Sequence, residues 1–149
     1  MASPVDTTVK WARSEMPGAP VLTRAAGSMT ALLDALLVDG WGLQSATSVV
    51  IASGVATATF AADHAAAMHA VVEVAGATGS YTDLNGEQKI TLASSNTLKW
   101  ATALPDGTAT GSITVKMAGG RWERPFTGTN PRAYPPANVP RHRPQPPAN

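Results

Sequence analysis

Three side chains near the middle of the chain, Asp63, His64 and His69, are of the types that bind metal ions or transfer protons. A zinc-type site needs at least one further ligand at suitable geometry, and no other ligand stands at such a spacing. A separation of five residues also places the two histidines on opposite faces of a strand. We therefore interpret both as structural or surface residues, and the sequence predicts no metal ion and no cofactor.

The remaining carboxylates, hydroxyls and glycines show no familiar catalytic spacing. Asp34 and Asp39 lie around the predicted end of a helix, where they diverge, so a catalytic carboxylate pair is not indicated. Asp83 and Glu87 flank Asn85–Gly86 and are interpreted as solvated turn residues. The chain has no phosphate-binding loop, no nucleophile elbow and no cysteine. We expect a protein that is not an enzyme.

Charge divides the chain into a weakly acidic body and a basic, proline-rich tail. Residues 1–120 carry nine acidic and six basic side chains, a net charge of −3, whereas residues 121–149 carry five arginines and one glutamate, a net charge of +4. Eight of the twelve prolines also follow position 124. These arginines are too sparse, and too poor in neighbouring aromatic residues, to make nucleic acid the expected partner.

We interpret the tail as an extended arm that lies along a neighbouring subunit. Such a segment has too little apolar surface to fold alone, and proline lowers the entropy cost of ordering it on a partner. Trp122 and Phe126 are expected to anchor the exit of the chain onto the body. The predicted assembly contacts are Arg121, Arg124, Arg132, Tyr134, Arg141 and Arg143.

Before residue 40 the sequence predicts one strand and one helix. Thr7–Arg13 alternates in polarity, as a strand does. An apolar stripe predicts a helix over about 29–38, with Ser28 as its N-cap and Gly40 closing it in a left-handed conformation. We expect the four leucines of this stripe to face the core beside Trp11 or Trp41; they are Leu32, Leu33, Leu36 and Leu37.

From Ser48 onward the period changes to two, which is typical of strands. The predicted strands are Val49–Ala52 and Val55–Phe60 around a Ser53–Gly54 turn, Ala70–Ala75, Gln88–Ala93 after an Asn85–Gly86 turn, Thr97–Thr102, and Ser112–Met117. The fold class is therefore mainly β, a small β-barrel or sandwich with one short N-terminal α-helix. The predicted body spans residues 1–128, and the extended Pro/Arg-rich arm spans 129–149. No segment is long and apolar enough to predict a membrane span.

Two stretches resemble known proteins. Val9–Gly42 (VKWARSEMPGAPVLTRAAGSMTALLDALLVDGWG) resembles the N-terminal region of structural proteins encoded in tailed-bacteriophage genomes, where a K-W/Y strand, an M-x-G-A-P-V-L turn, an A-G-S cap and a Leu-rich helix ending in G-W/F-G recur in that order. Trp122–Tyr134 (WERPFTGTNPRAY) is similar to the segment that closes the same region. Between them, His64–Lys116 resembles a small β-barrel module of phage virion proteins, so the resemblance covers about residues 9–134.

This resemblance implies a virion building block and supplies no catalytic residues. We expect a non-enzymatic structural component of a tailed-phage virion, associated with the tail, neck or baseplate and made in the host cytoplasm. Its expected partners are other virion proteins and copies of itself, without a membrane. A capsid decoration (cement) protein is the alternative placement. The alternative from a different functional class is a module that binds peptides or nucleic acid.

Overall fold

The computed structural model describes residues 6–123, in which one short helix precedes nine strands. The helix α1 spans Ser28–Asp34 and continues as a π-helical turn over Ala35–Asp39. A 3₁₀-helix spans Gly79–Leu84. In chain order the strands are β1 (Trp41–Ser45), β2 (Ser48–Ala52), β3 (Val55–Thr59), β4 (Val71–Ala75), β5 (Gly86–Lys89), β6 (Leu92–Ala93), β7 (Thr97–Ala101), β8 (Gly107–Thr108) and β9 (Thr114–Met117).

The strands form two antiparallel sheets that share one apolar core. The first sheet has the order β1-β9-β4-β5, and the second has the order β6-β7-β3-β2-β8. Side chains from both sheets enter the same buried cluster, including Val72 and Val115 from the first and Ile51 and Leu98 from the second. The mainly β fold class that the sequence predicts is confirmed. The predicted boundary at 128 lies outside the described residues.

Alternate side chains are buried in the second sheet, which explains why a sequence pattern of period two predicts its strands. In β2 the buried side chains are Val49 and Ile51, while Val50 between them is exposed. The alanines of β3 lie opposite the large side chains of β7: Ala56 pairs with Trp100. Directly opposed residues share one face of a sheet, so small side chains on β3 leave the space that the indole fills.

The hairpin between β2 and β3 is confirmed at the predicted turn. Its register runs from Ser48 opposite Thr59 to Ala52 opposite Val55. Ser53 and Gly54 both have positive φ, 51° and 77°, as a two-residue hairpin loop that follows the strand twist requires. The Asp106 carboxylate accepts a hydrogen bond from the Ser53 N–H at 2.9 Å and so stabilises the turn.

The predicted strand at Thr7–Arg13 is wrong. This segment joins neither sheet, and Val9 is exposed while Trp11 packs against the core, so the two do not share one buried face. Side chains hold the segment instead: Lys10 pairs with Glu87, and the Trp11 Nε1–H donates to the His69 carbonyl oxygen at 3.3 Å. Alternation in polarity indicates a strand only where a partner strand lies beside it.

The predicted helix exists, but three of its predicted details are wrong. Gly27, in the left-handed conformation, is the N-cap, whereas the Ser28 hydroxyl donates to the Thr23 carbonyl oxygen at 2.7 Å. No residue of α1 or of the π turn is buried, and Leu36 is the one leucine of the stripe that packs against the core cluster. The π turn is wider than an α turn, so it rotates the apolar stripe away from a single face. Gly40 follows the π turn with a φ of 73°, but its ψ of −177° lies outside the left-handed helical conformation that the sequence predicts.

The predicted Gln88–Ala93 strand is two strands that belong to different sheets. Residues 86–89 form β5 in the first sheet, and Leu92–Ala93 form β6 in the second, with the buried Ile90 between them. The preceding Asn85–Gly86 is not a two-residue hairpin turn. Asn85 ends the 3₁₀-helix, and its side-chain amide bonds both the N–H and the carbonyl oxygen of Ala77 at 2.9 Å.

Replacing Leu36 with alanine tests how far the helix contributes to the core. A fully buried leucine would cost about 2–5 kcal/mol on truncation, but this side chain is only half-buried. We expect the free energy of unfolding to fall by about 1–2 kcal/mol. Urea denaturation followed by circular dichroism would measure it, and an unchanged midpoint would show that the helix lies apart from the core.

The part of the chain between residues 6 and 123 contains no helix with the length and apolar character needed to cross a membrane.

Candidate functional site

Three of the four tryptophans meet in one surface groove of about 390 Å³. Trp11 comes from the N-terminal segment, Trp41 from the first position of β1, and Trp122 from the segment that follows β9. One wall is the π turn, through Leu36 and Leu37. The floor consists of Val71, Met117 and Ala118.

Each tryptophan is fixed by a different contact. The Trp11 ring lies 5.4 Å from the Arg13 guanidinium carbon, within cation–π range. Trp41 is buried and pairs with Met117 of β9. Trp122 keeps 37% of its surface exposed, and its backbone N–H donates to the Leu37 carbonyl oxygen at 2.9 Å. The predicted anchoring by Trp122 agrees with this contact, whereas Phe126 lies outside the described residues.

The groove wall depends on close contact between the π turn and the chain after β9. Two carbonyl oxygens within the π turn, those of Leu36 and Leu37, accept hydrogen bonds from the N–H groups of Gly120 and Trp122 at 2.9 Å. These bonds use carbonyls that a helix end leaves unpaired. A Cβ atom at Gly119 would lie 2.5 Å from the Val38 carbonyl oxygen. The approach therefore requires glycine.

An ion cluster beside the groove joins the two ends of the described chain. The Glu87 carboxylate lies 3.1 Å from Lys10 Nζ and accepts a hydrogen bond from Arg121 Nε at 2.8 Å. Arg121 Nη2 lies 2.7 Å from the second carboxylate oxygen. The Glu87 side chain is 12% exposed, so the interpretation of Glu87 as a solvated turn residue is wrong.

The electrostatic environment of Glu87 favours its ionised form. Burial acts to raise its pKa, but the hydrogen bonds from Arg121 and Lys10 outweigh this effect, and the pKa of Glu87 is lowered. The same contact raises the pKa of Arg121. The carboxylate is therefore held as an anion between two cations. This suits a structural ion pair that holds Lys10 and Arg121 to the sheet, here called the fastening role, better than a general base.

Of the six predicted assembly residues, Arg121 lies within residues 6–123, which the structure describes. Arg121 lies between two residues that line the groove, and it is engaged by Glu87 of its own chain while keeping 65% of its side chain exposed. Its contact with a neighbour stays a prediction. Arg124, Arg132, Tyr134, Arg141 and Arg143 lie outside the described residues.

The two histidines do not share a strand, because residues 60–70 connect β3 to β4 without one. His64 is buried, and its Nε2–H donates to the Thr97 carbonyl oxygen at 3.0 Å. His69 is exposed, with φ of 66°, in a second cleft of about 310 Å³ that Glu87 and Lys89 also line. Among residues 6–123, no three histidine or carboxylate side chains are grouped so that they could hold a metal ion.

Neutralising Glu87 tests the ion cluster. We expect Glu87→Gln to lower the free energy of unfolding by about 1 kcal/mol at pH 7, since it weakens two ion pairs on a largely buried carboxylate. A lowered folded-state pKa gives stability that is present above the unfolded value, about 4.3, and is lost as pH falls through the folded value. The difference in the free energy of unfolding between Glu87→Gln and the wild type should therefore shrink below about pH 4.

Thermal melts between pH 3 and pH 7 would measure this difference, and Glu73→Gln provides the control. Glu73 lies 3.3 Å from Lys116 Nζ but has 45% of its side chain exposed, so its removal should cost less than about 0.5 kcal/mol. Equal losses for the two variants, or a Glu87→Gln loss that does not depend on pH, would contradict the fastening role.

Sequence reasoning missed this cluster and the convergence of the tryptophans. The available signal was compositional: tryptophan supplies four of the eight aromatic residues in the chain, and exposed tryptophan is enriched at binding surfaces. Comparisons of the chain with protein-family models, with curated proteins and with solved structures find no match.

Proposed function

We propose that the protein is a non-enzymatic structural component of a tailed-phage virion, located in the tail, neck or baseplate and acting through subunit contacts. The observation that carries this proposal is that residues from both phage-like segments line one groove. Val9–Gly42 supplies Trp11, the π turn and Trp41 to the groove. Trp122, the first residue of the second segment, lies at the rim. Residues that are distant in the sequence, in two segments that both resemble phage structural proteins, therefore form one groove.

The exposed apolar side chains support a role in assembly. Val50 on β2, Val55 on β3 and Leu92 on β6 are exposed on the second sheet. On the N-terminal side, the exposed set is Val9, Val21, Leu22, Met29 and Leu43. Large apolar side chains left at the surface are available for contact with other proteins.

Counting the copies in purified virions tests the proposal and separates its two placements. We expect a few to some dozens of copies per particle, with immunogold labelling on the tail or neck, because those structures have few subunits. Hundreds of copies on the head would identify a decoration protein instead. Absence from particles of a phage that encodes the chain, or a salt-sensitive mobility shift with DNA, would favour a binding module.

Removing residues 135–149 tests the predicted arm. We expect the melting temperature of the body to stay nearly unchanged, since this segment has little apolar surface to bury. Incorporation into virions should fall, because the arginines that would contact acidic neighbours are lost. A much lower melting temperature, or incorporation equal to that of the full chain, would contradict the assembly role.

A further inference from the structure

We propose that Asn85 is a site of spontaneous deamidation that folding protects, and that its conversion to aspartate releases the loop between β4 and β5. The chain contains five asparagines, and Asn85 alone is followed by glycine. Asparagine is a thermally labile residue, and glycine has no Cβ atom to shield its backbone nitrogen from the preceding side chain. The proposal goes beyond the proposed function and does not rest on it, so purified protein tests it separately.

The reaction needs only water as a partner. The Gly86 backbone nitrogen loses its proton and attacks Asn85 Cγ. A new N–C bond forms, the Cγ–Nδ2 bond breaks, and ammonia leaves with the proton. Water then adds to either carbonyl carbon of the five-membered succinimide and opens it to aspartate or isoaspartate. No electrons are transferred, so the chemistry requires no oxidant and no cofactor.

Two hydrogen bonds, here called the amide clamp, fix the Asn85 side chain in the fold. Its Oδ1 accepts from the Ala77 N–H, and its Nδ2 donates to the Ala77 carbonyl oxygen, both at 2.9 Å. The Asn85 backbone is extended, with a ψ of 139°, whereas ring closure needs the Gly86 nitrogen beside the Asn85 Cβ atom. The side chain must therefore leave Ala77 before it can react.

The amide clamp closes a loop that joins the end of β4 to the chain before β9. Ala77 is buried, and the N–H of the next residue, Thr78, donates to the Thr110 carbonyl oxygen at 2.9 Å. The Thr78 carbonyl oxygen in turn accepts from the Thr110 hydroxyl at 3.1 Å. Within the loop, the buried Leu84 ends the 3₁₀-helix. Release of Ala77 would therefore loosen the loop at both of its ends.

An aspartate at this position cannot rebuild the amide clamp. Its carboxylate has two acceptor oxygens and no donor, so one oxygen would face the Ala77 carbonyl oxygen with no proton between them. A buried carbonyl that loses its donor destabilises the fold. Because ammonia is lost in the reaction, the change is one-way, and the opened loop does not regain its original contacts.

Peptide mass mapping of the purified full chain, incubated at pH 7 with and without guanidinium chloride, measures the reaction. In denaturant we expect Asn85 to deamidate faster than Asn96, which is followed by threonine. In the native protein Asn85 should react at least ~10-fold more slowly than in denaturant, because both hydrogen bonds must open first. Equal rates at Asn85 in the two solvents would overturn the protection.

Two matched threonine variants test whether the amide clamp, and not folding in general, protects Asn85. Thr110→Val removes the hydroxyl contacts with Thr78 beside the clamp, and Thr91→Val removes a hydroxyl bond of the same length, 3.1 Å, to the Lys99 carbonyl oxygen. In the native protein, Thr110→Val should speed the deamidation of Asn85 about 3-fold or more, whereas Thr91→Val should leave it unchanged. Equal rates in these variants would overturn the assignment to the clamp.

Asn85→Asp reproduces one product of the reaction. We expect it to lower the melting temperature by about 4 °C or more, because it removes one buried hydrogen bond and adds a repulsive contact. Asn96→Asp, exposed in the turn between β6 and β7, is the control and should shift the melting temperature by less than about 2 °C. Equal melting temperatures for the two variants would overturn the claim that deamidation releases the loop.

Discussion

Truncating Trp100 to alanine is expected to lower the free energy of unfolding by about 3–5 kcal/mol, enough to unfold much of the protein if its total stability is at the low end of the usual ~5–15 kcal/mol. Trp100 is 1% exposed and is the largest of the fully buried side chains. It lies in β7, between β3 and β6, opposite Ala56. Its partner across the sheet is an alanine, which is too small to fill the cavity that truncation leaves.

Trp100→Phe should cost far less, about 1–2 kcal/mol. Within residues 6–123 the indole Nε1–H has no hydrogen-bond partner, so phenylalanine removes a buried unsatisfied donor along with part of the ring. Urea denaturation of both variants would measure the difference. Val50→Ala, on the outer face of the same sheet, should stay within about 0.5 kcal/mol and serves as the control. Equal losses for Trp100→Ala and Trp100→Phe would show that the indole N–H contributes to stability, which would contradict an unsatisfied donor at this position.

Local patterns predicted β2, β3, β4, β7 and β9, but neither β1 nor β8. The alternation in β2 and β9 reflects one buried face, and the Ser53–Gly54 turn needs only its own two residues and their neighbours. Information of this kind is contained in short windows of sequence. The same windows failed at Thr7–Arg13, since a strand also needs a partner, and at the helix, since its π turn changes which side chains share a face.

The candidate site depends on contacts between distant segments, so sequence reasoning reached only fragments of it. The sequence predicts Trp11 or Trp41 beside the helix and Trp122 at the chain exit, but no local pattern shows that the three tryptophans lie in one groove. Glu87 is also joined to Lys10 and Arg121 from opposite ends of the described chain. A carboxylate beside Asn85–Gly86 resembles a solvated turn residue until the fold brings both cations to it.

Gly40 controls the geometry of the groove wall, and its replacement by alanine is expected to cost about 2–5 kcal/mol. Its φ of 73° and ψ of −177° belong to a region that essentially only glycine occupies. An added Cβ atom would also overlap the carbonyl oxygen of Met117. The π turn would therefore have to move away from β9.

Gly27→Ala is the control for Gly40→Ala, because neither the glycine-only backbone region nor the Cβ overlap applies at Gly27. Gly27 has a similar φ of 83°, but its ψ of −5° lies in the ordinary left-handed region and a Cβ atom there meets nothing within 4 Å. Its replacement should cost only about 1–2 kcal/mol. Moving the π turn at Gly40 should also disturb the hydrogen bond between the Leu37 carbonyl and the Trp122 N–H, and hence shift tryptophan fluorescence in the folded protein. Equal losses of stability for the two variants, with unchanged fluorescence, would show that the helix end does not position the groove.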